Sequence, residues 1–363
     1  MHTLDRTLFV TFLRSYLIVL TCVLSLYIVI DLFTNLEAFI GRGGGLLAIS
    51  KHIAAYYGVR VTQIFDRLCE VIVLLAAMFT VAWMQRSNEL LPQLSAGIST
   101  QRVLRPLLIG TGLMLAFGPL NQEMLIPRIA DELQVPRDDP DQQRPIEMRG
   151  AYDSSGVHVE GLAGFRKDKR IKGFFVTFPE SGAAGMVHLH AEEAVFVKSD
   201  VPNESGWMLY NVLPELSEPL PEQLEARGPR RFFLKLKDID FDSMTRGSSV
   251  YALASTTKLQ DVLAMPDQRR QPAVAVLFHM RFVRPLIGVV LVVLGLAIIL
   301  RDQNRHVLVS SGLCLVMCAI YYGAVYGCKY LGENDLLSAP LAAWLPVIVF
   351  GPIAVVQFDS MQT

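Results

Sequence analysis

Six apolar stretches, each close to the length of a bilayer's hydrocarbon core, constrain this chain more than anything else in it. An apolar helix needs roughly 20 residues to cross about 30 Å of lipid. The stretches are Leu8–Phe33, Ile64–Met84, Leu104–Met124, Ala273–Leu300, Val307–Gly327 and Leu341–Val356. Only 18% of the residues are charged, where a soluble domain carries about a quarter. Mean hydropathy is +0.38, and the apolar excess is gathered into these blocks rather than spread. The expected architecture is an α-helical membrane protein with six transmembrane helices, three before and three after a polar insert. The boundaries fall at 1–126, 127–272 and 273–363. The first apolar run is too long for a cleavable signal, and no small-residue cleavage site precedes "DLFTNLEAF".

Lysine and arginine in the short connections set the orientation. With the N-terminus inside, the inner segments hold Arg6, Arg14, Arg86, Arg102, Arg105, Arg301 and Arg305. The short outer loops hold Arg42, Lys51, Arg60 and Lys329. The bias predicts both termini in the cytoplasm and the insert outside.

The insert reads as β. "SGVHVEGLAGF", "RIKGFFVTF", "MVHLHAEEAVFVK", "GWMLYNVL" and "RRFFLKLKDIDF" are short and rich in branched and aromatic residues. They alternate in part and are separated by turn-forming residues, as in a small sandwich or curled sheet. "STTKLQDVLAMPDQRRQPAV" then reads as a helical lead into the fourth span.

Several function classes find no support. Net charge is −1, so no bulk basic signal points to nucleic acid. No G-x-x-x-x-G-K-[ST] occurs, and "GRGGG" (41–45) lacks its Lys and Ser/Thr, which leaves a loop. No G-x-S-x-G occurs either. All five cysteines lie in or beside apolar blocks; Cys314 and Cys318 share a helix face but lack further ligands nearby. His188, His190 and Glu192 share one strand face, which suits either the start of a metal site or a water-facing edge of the sheet. No catalytic residue, metal or cofactor is expected.

Four features do carry a functional reading. First, Asp66, Arg67 and Glu70 open the second span. Val71–Met84 covers only about 21 Å, so these charges fall at membrane depth and must pair or face a cavity. Second, Arg281 and Arg284 lie in the fourth span, with Arg281 about 30 Å from Arg301 along a helix, near the outer boundary. A cation there either binds a lipid phosphate or snorkels to ordinary headgroups. Third, Ala319, Gly323 and Gly327 recur at four-residue steps, a stripe that permits close helix approach within this chain or with a partner. Fourth, "RSNELLPQLSAGIS" (86–99) joins the second and third spans. Leu90, Leu94 and Ile98 would line one side of a short helix, and Ser95, Ala96 and Gly97 permit close approach. Pro92 places its start near Leu91 or Pro92. Such a helix either lies against headgroups or docks into a partner's groove.

"SNELLPQLSAGIS" followed by "RVLRPLLI" resembles the cytoplasmic segment of the lipopolysaccharide-export permeases, the YjgP/YjgQ or LptF/LptG family. "LDRTLFVTFL", "HMRFVRPLIGVVLVVLGLAI" and "YYGAVYG…LSAPLAAWLPVIVF" resemble its first, fourth and last two spans. The resemblance implies an inner-membrane permease whose insert is a periplasmic jellyroll. It implies a cytoplasmic ABC ATPase dimer bound at the coupling helix, a homologous permease subunit, and single-span and periplasmic jellyroll partners. Lipopolysaccharide would be the cargo. Glu89 matches the coupling acid that meets the ATPase, Gly97 and Ile98 the packing residues of that helix, and Arg281 the basic residue opening the fourth span. Pro92 replaces the usual alanine, and Leu94 stands where a basic residue is common. Asp31 and Glu37 stand where relatives place lipid-binding lysines, so Arg42 or Arg67 are the substitutes on offer beside Arg281 and Arg284. Two alternatives are a membrane-anchored receptor or scaffold with a ligand-binding β domain, and an exporter of another envelope lipid.

Overall fold

The computed structural model describes residues 2–40, 45–135, 137, 139, 142–153, 155–179, 187–197, 205–214, 221, 223–236, 239–241, 244, 251–264, 272–300 and 307–360. Arg42, Arg301 and Arg305 lie outside them, as does most of the "GRGGG" run. The chain divides into two compact units. One holds Met1–Leu133, Leu253–Leu263 and Gln271–Thr363; the other holds Gln134–Ala252 and Ala264–Arg270.

The first unit is helical. It contains α1 (His2–Thr34), α2 (Leu36–Ile40), α3 (Leu46–Arg86), α4 (Leu90–Ser95), α5 (Thr100–Leu120) and α6 (Ala130–Leu133). It resumes with α7 (Thr256–Ala264), α8 (Pro272–Leu300), α9 (Val307–Glu333) and α10 (Ala339–Asp359). Among the described residues, five helices are long and apolar enough to cross a membrane: those of α1, α5, α8, α9 and α10. The expected span Ile64–Met84 is the second half of α3, a single helix of 41 residues. Its first half continues because Ile53, Tyr56, Tyr57 and Ile64 pack with Leu24, Ile28, Leu32 and Phe39. The charges at 66–70 had looked like a boundary, yet carboxylates do not end a helix when their charge is matched.

Helix α8 is the axis of this unit and packs against α3, α5, α9 and α10, while α1 packs on α3 and α5. Phe12, Ile72, Leu74, Ala76, Leu291, Leu294 and Tyr321 form its buried centre. Hydroxyls within the helices bond back to the preceding turn: Thr80 Oγ1 donates to the Ala76 carbonyl at 2.8 Å and Ser15 Oγ to that of Thr11 at 3.0 Å. Such bonds satisfy polar groups where water is absent. Leu17, Ile18, Leu26, Ile30 and Phe33 of α1 stay exposed, as do Leu315, Val316, Ile320 and Tyr326 of α9.

After Leu120, α5 widens into a π turn, Asn121–Leu125. Pro119 offers no N–H, so the i→i−4 ladder is already interrupted there. The amide of Ile126 then bonds the carbonyl of Asn121 at 3.0 Å.

Among the described residues, the second unit is one seven-stranded antiparallel sheet. Its strands are β1 (Ala151–Tyr152), β2 (His158–Phe165), β3 (Arg170–Phe178), β4 (Val187–Val197), β5 (Gly206–Leu213), β6 (Leu224–Gly228) and β7 (Arg231–Leu234). The order is β1-β2-β3-β4-β5-β7-β6. Val159, Ile171, Phe174, Leu189, Trp207 and Leu209 fill one face, closed by Leu236, Ile239, Phe241 and Met244. The Trp207 indole donates to the Ile239 carbonyl at 3.0 Å.

The inward alternation changes phase along one row. In β3 the buried positions step from Ile171 to Phe174, in β4 from Ala191 to Ala194, and in β5 from Leu209 to Val212. The ladder registers skip Leu162, Gly173, Glu192 and Asn211 at that row, and Gly173 and Asn211 hold φ of 63° and 53°. One extra residue in each strand turns the next inward side chain back to the core, as bulges do.

Candidate functional site

Two arginines one helical turn apart on α8 meet acids from two other segments. Pro285 follows directly and gives no N–H to the carbonyl of Arg281, so the helical ladder is open at the turn that carries both. Arg284 points at α3. Its Nε donates to Glu70 Oε1 at 2.5 Å, and its Nη1 to Asp66 Oδ2 at 2.8 Å and to Gln122 Oε1 at 3.4 Å. Its Nη2 also donates to the Asp66 carbonyl. The Asp66 and Glu70 side chains are only 10% and 8% exposed. They lie one turn apart on one face of α3, the spacing that lets a single forked guanidinium reach both. Gly288 closes the arrangement: a Cβ there would sit 2.6 Å from Leu115 and 3.3 Å from Glu70 Cγ, so the backbones of α3, α5 and α8 converge only around a glycine.

Arg281 faces a different set of partners and is 11% exposed. Its Nη2 donates to the Ala254 carbonyl at 2.6 Å and its Nη1 to Thr256 Oγ1 at 3.1 Å. Glu123 Oε2 lies 3.7 Å from the same Nη1. That carboxylate also accepts from the Thr256 amide at 3.1 and 3.0 Å and from its hydroxyl at 2.7 Å, so it caps the start of α7. Here the π turn matters. It carries the consecutive residues Gln122 and Glu123, and both line the same cleft. The cleft has a volume of about 310 Å³ and is lined by Pro119, Gln122, Glu123, Thr256, Arg281, Phe282 and Arg284.

The other end of α3 is built differently. Helix α4 starts at Leu90, not at Leu91 or Pro92 as expected. Pro92 then occupies the third position, whose N–H has no helical acceptor in any case. Glu89 just before it is exposed, and its amide donates to the Met84 carbonyl at 3.0 Å. Gly97 has φ +79°, and the Ile98 amide bonds the Gln93 carbonyl at 3.1 Å, the long bond of a Schellman ending. Among the described residues a Cβ on Gly97 would touch nothing, so within this chain the glycine serves the turn. Ile98 lies beyond that turn, off the helix, and packs on the central core of the helical unit. The stripe expected from Leu90, Leu94 and Ile98 therefore does not continue past the left-handed residue. The backbones of Leu90 and Leu94 lie in α4, and their side chains are outside the description. Nearby, Arg102 of α5 pairs with Asp5 of α1 at 3.3 Å.

The remaining residues singled out in the sequence are dispersed. Arg67 is exposed on α3. Ala319, Gly323 and Gly327 lie on an open face of α9, and a Cβ on either glycine would meet nothing among the described residues. Asp31 accepts from the Tyr57 hydroxyl at 2.7 Å and so ties α1 to α3, while Glu37 is exposed. His188 bonds Thr177 at 2.9 Å, His190 packs on Phe175, and Glu192 accepts from Asn211 at 2.9 Å. No group of three or more His, Cys, Asp or Glu among the described residues is arranged to hold a metal. Gln122, Glu123 and Thr256 were missed. Their only signal was polar residues at the end of an apolar run, with a distant hydroxyl to meet them.

Helices of this length and apolarity, with charged groups neutralised among them and a separate antiparallel sheet, define a multi-pass membrane protein. The sequence from residue 6 to 359 matches the family model described as lipopolysaccharide export system permease LptF/LptG, and the chain belongs to that family. It is thus a permease of the inner membrane, a transport protein rather than an enzyme. No curated protein matches it.

Proposed function

We propose that this protein is one permease subunit of an ABC-type exporter, which extracts lipopolysaccharide from the inner membrane and passes it to a periplasmic bridge. The family match over residues 6–359 carries this reading. In it, six spans cross the membrane, with Ile64–Met84 of α3 as the second and both termini in the cytoplasm. The units 1–126 and 273–363 flank a periplasmic 127–272 of jellyroll type. A cytoplasmic ATPase dimer grips the α4 segment through Glu89, Leu90 and Leu94, with Gly97 and Ile98 fixing how that segment returns to the core. ATP hydrolysis there moves α3 and α5, which converge on α8 at Gly288.

The lipid's anionic headgroup meets Arg281 in the cleft, with Arg67 and Arg42 as further cations. The charge of Arg284 is matched by two carboxylates, so its part is to hold α3 and α8 in register. A homologous permease subunit packs on the open stripe Ala319, Gly323 and Gly327, where small residues allow close approach. Single-span and periplasmic jellyroll proteins complete the complex.

A photo-crosslinker at Phe282, which lines the cleft and is 58% exposed, tests this reading. In membranes containing the whole complex it is expected to capture lipopolysaccharide. Capture of bulk phospholipid alone would contradict the cleft as the cargo site.

A further inference from the structure

Three carboxylates and two guanidiniums meet around the cleft: Asp66, Glu70 and Glu123 against Arg281 and Arg284. With every group charged, the corner carries one excess negative charge. A phosphate entering it is repelled unless one carboxylate leaves. Asp66 and Glu70 are 10% and 8% exposed and joined to Arg284 by short bonds, so neither can swing away without leaving a buried cation bare. Glu123 differs. Its side chain is 41% exposed, and it stands 3.7 Å from Arg281, beyond direct hydrogen bonding. Its short bonds go to Thr256 instead, through the amide and the hydroxyl at the first turn of α7. It therefore occupies, as an anion, the ground between Arg281 and the start of α7 that a phosphate oxygen would take.

We propose that Glu123 is a built-in stand-in for the cargo's phosphate. It keeps the Arg281 corner filled in the empty permease and is displaced when a phosphorylated lipid enters. Displacement breaks the bonds between the π turn and Thr256, so loading of the cleft releases the start of α7 from the end of α5. The inference rests on the reading of Arg281 as the phosphate contact and adds the competitor. The π turn supplies the reason for such a device. It presents Glu123 toward the cleft close after a proline that has already removed one ladder bond.

The test uses the whole exporter complex in lipid nanodiscs, with the photo-crosslinker at Phe282. The probes are a bisphosphorylated lipid A and the same lipid with its phosphates removed. E123Q keeps an acceptor for the Thr256 amide but loses the charge. It is expected to raise capture of the phosphorylated probe roughly two- to fivefold, the scale of one exposed charge at a helix start. Capture of the dephosphorylated probe should stay as in the unsubstituted complex. E123D keeps a charge in the cleft and should stay near the unsubstituted complex, with thermal unfolding confirming that each variant is folded. An equal change for both probes, a fall with E123Q, or identical behaviour of E123D and E123Q would overturn the proposal. R281Q separates the two readings. If it lowers capture while E123Q leaves capture unchanged, the cleft stands and the stand-in falls; if neither variant alters capture, both fall.

Discussion

The two ends of the second half of α3 carry acids in opposite circumstances. At one end Asp66 and Glu70 are buried and locked to Arg284. At the other, about 24 Å along the helix from Glu70 to Arg86, comes an exposed Glu89 held by a backbone bond and followed by a six-residue helix. At membrane depth an acid persists only if its charge is matched, so the first end is committed to holding helices together. In water an acid needs no partner, so in the proposed reading the second end is the one that meets another protein. One helix thus joins a rigid grip to an open handle, which is what a lever needs.

The largest expected effect lies at the locked end. R284M leaves two buried carboxylates without their cation and should cost about 3–5 kcal/mol, read as a fall in the thermal midpoint of the purified protein. Retained stability would break the comparison, since the acids would then need no matching. The open end should respond more weakly. G97A forces a side chain into a left-handed residue at a cost of about 1 kcal/mol, with no clash to add. Weakened association with the ATPase is the expected readout, since the turn sets where α4 lies. Smaller again is R102Q, which removes the partly exposed pair with Asp5 beside that loop. About 0.2–1 kcal/mol is expected, shrinking further in high salt.

The smallest effect concerns a solvent-facing pair in the sheet unit, a reference for what surface charge contributes. Lys235 foremost, with Arg227 beside it, holds the Glu225 carboxyl below its ordinary range. Its contribution is therefore present above the ordinary carboxylate pKa and lost as pH falls through the lowered one. Urea midpoints across that range should slope gently downward toward acid, and E225Q should flatten the slope by a barely measurable amount.

How far the sequence revealed this molecule follows the same division. Long apolar runs announce helices whatever they pack against, so Leu341–Val356 and Ala273–Leu300 lie within α10 and α8 almost end to end. The need of Asp66 and Glu70 for a partner was also legible. Its identity was not, because Arg284 comes from a helix more than two hundred positions away and nothing local marks the pairing. For the same reason α3 is longer than its apolar run suggests. In the sheet, branched and aromatic residues revealed the main strands. The phase change at Gly173 and Asn211 was hidden, because it is a property of neighbouring strands in register and shows in any one of them only as imperfect alternation. At the coupling segment, Leu90, Leu94 and Ile98 repeat as a helix does. The left-handed Gly97 ends the helix before the third of them, and a repeat of four cannot show that.

The central claim is that the open end at Glu89 drives the cleft at the locked end. It is tested most directly by following lipopolysaccharide captured at Phe282 in reconstituted membranes before and after ATP is added. With the unsubstituted complex, ATP is expected to empty the cleft. With E89K, which should not alter the fold because Glu89 is exposed, the cleft should stay loaded. If ATP emptied the cleft equally in both, α3 would not be the lever described.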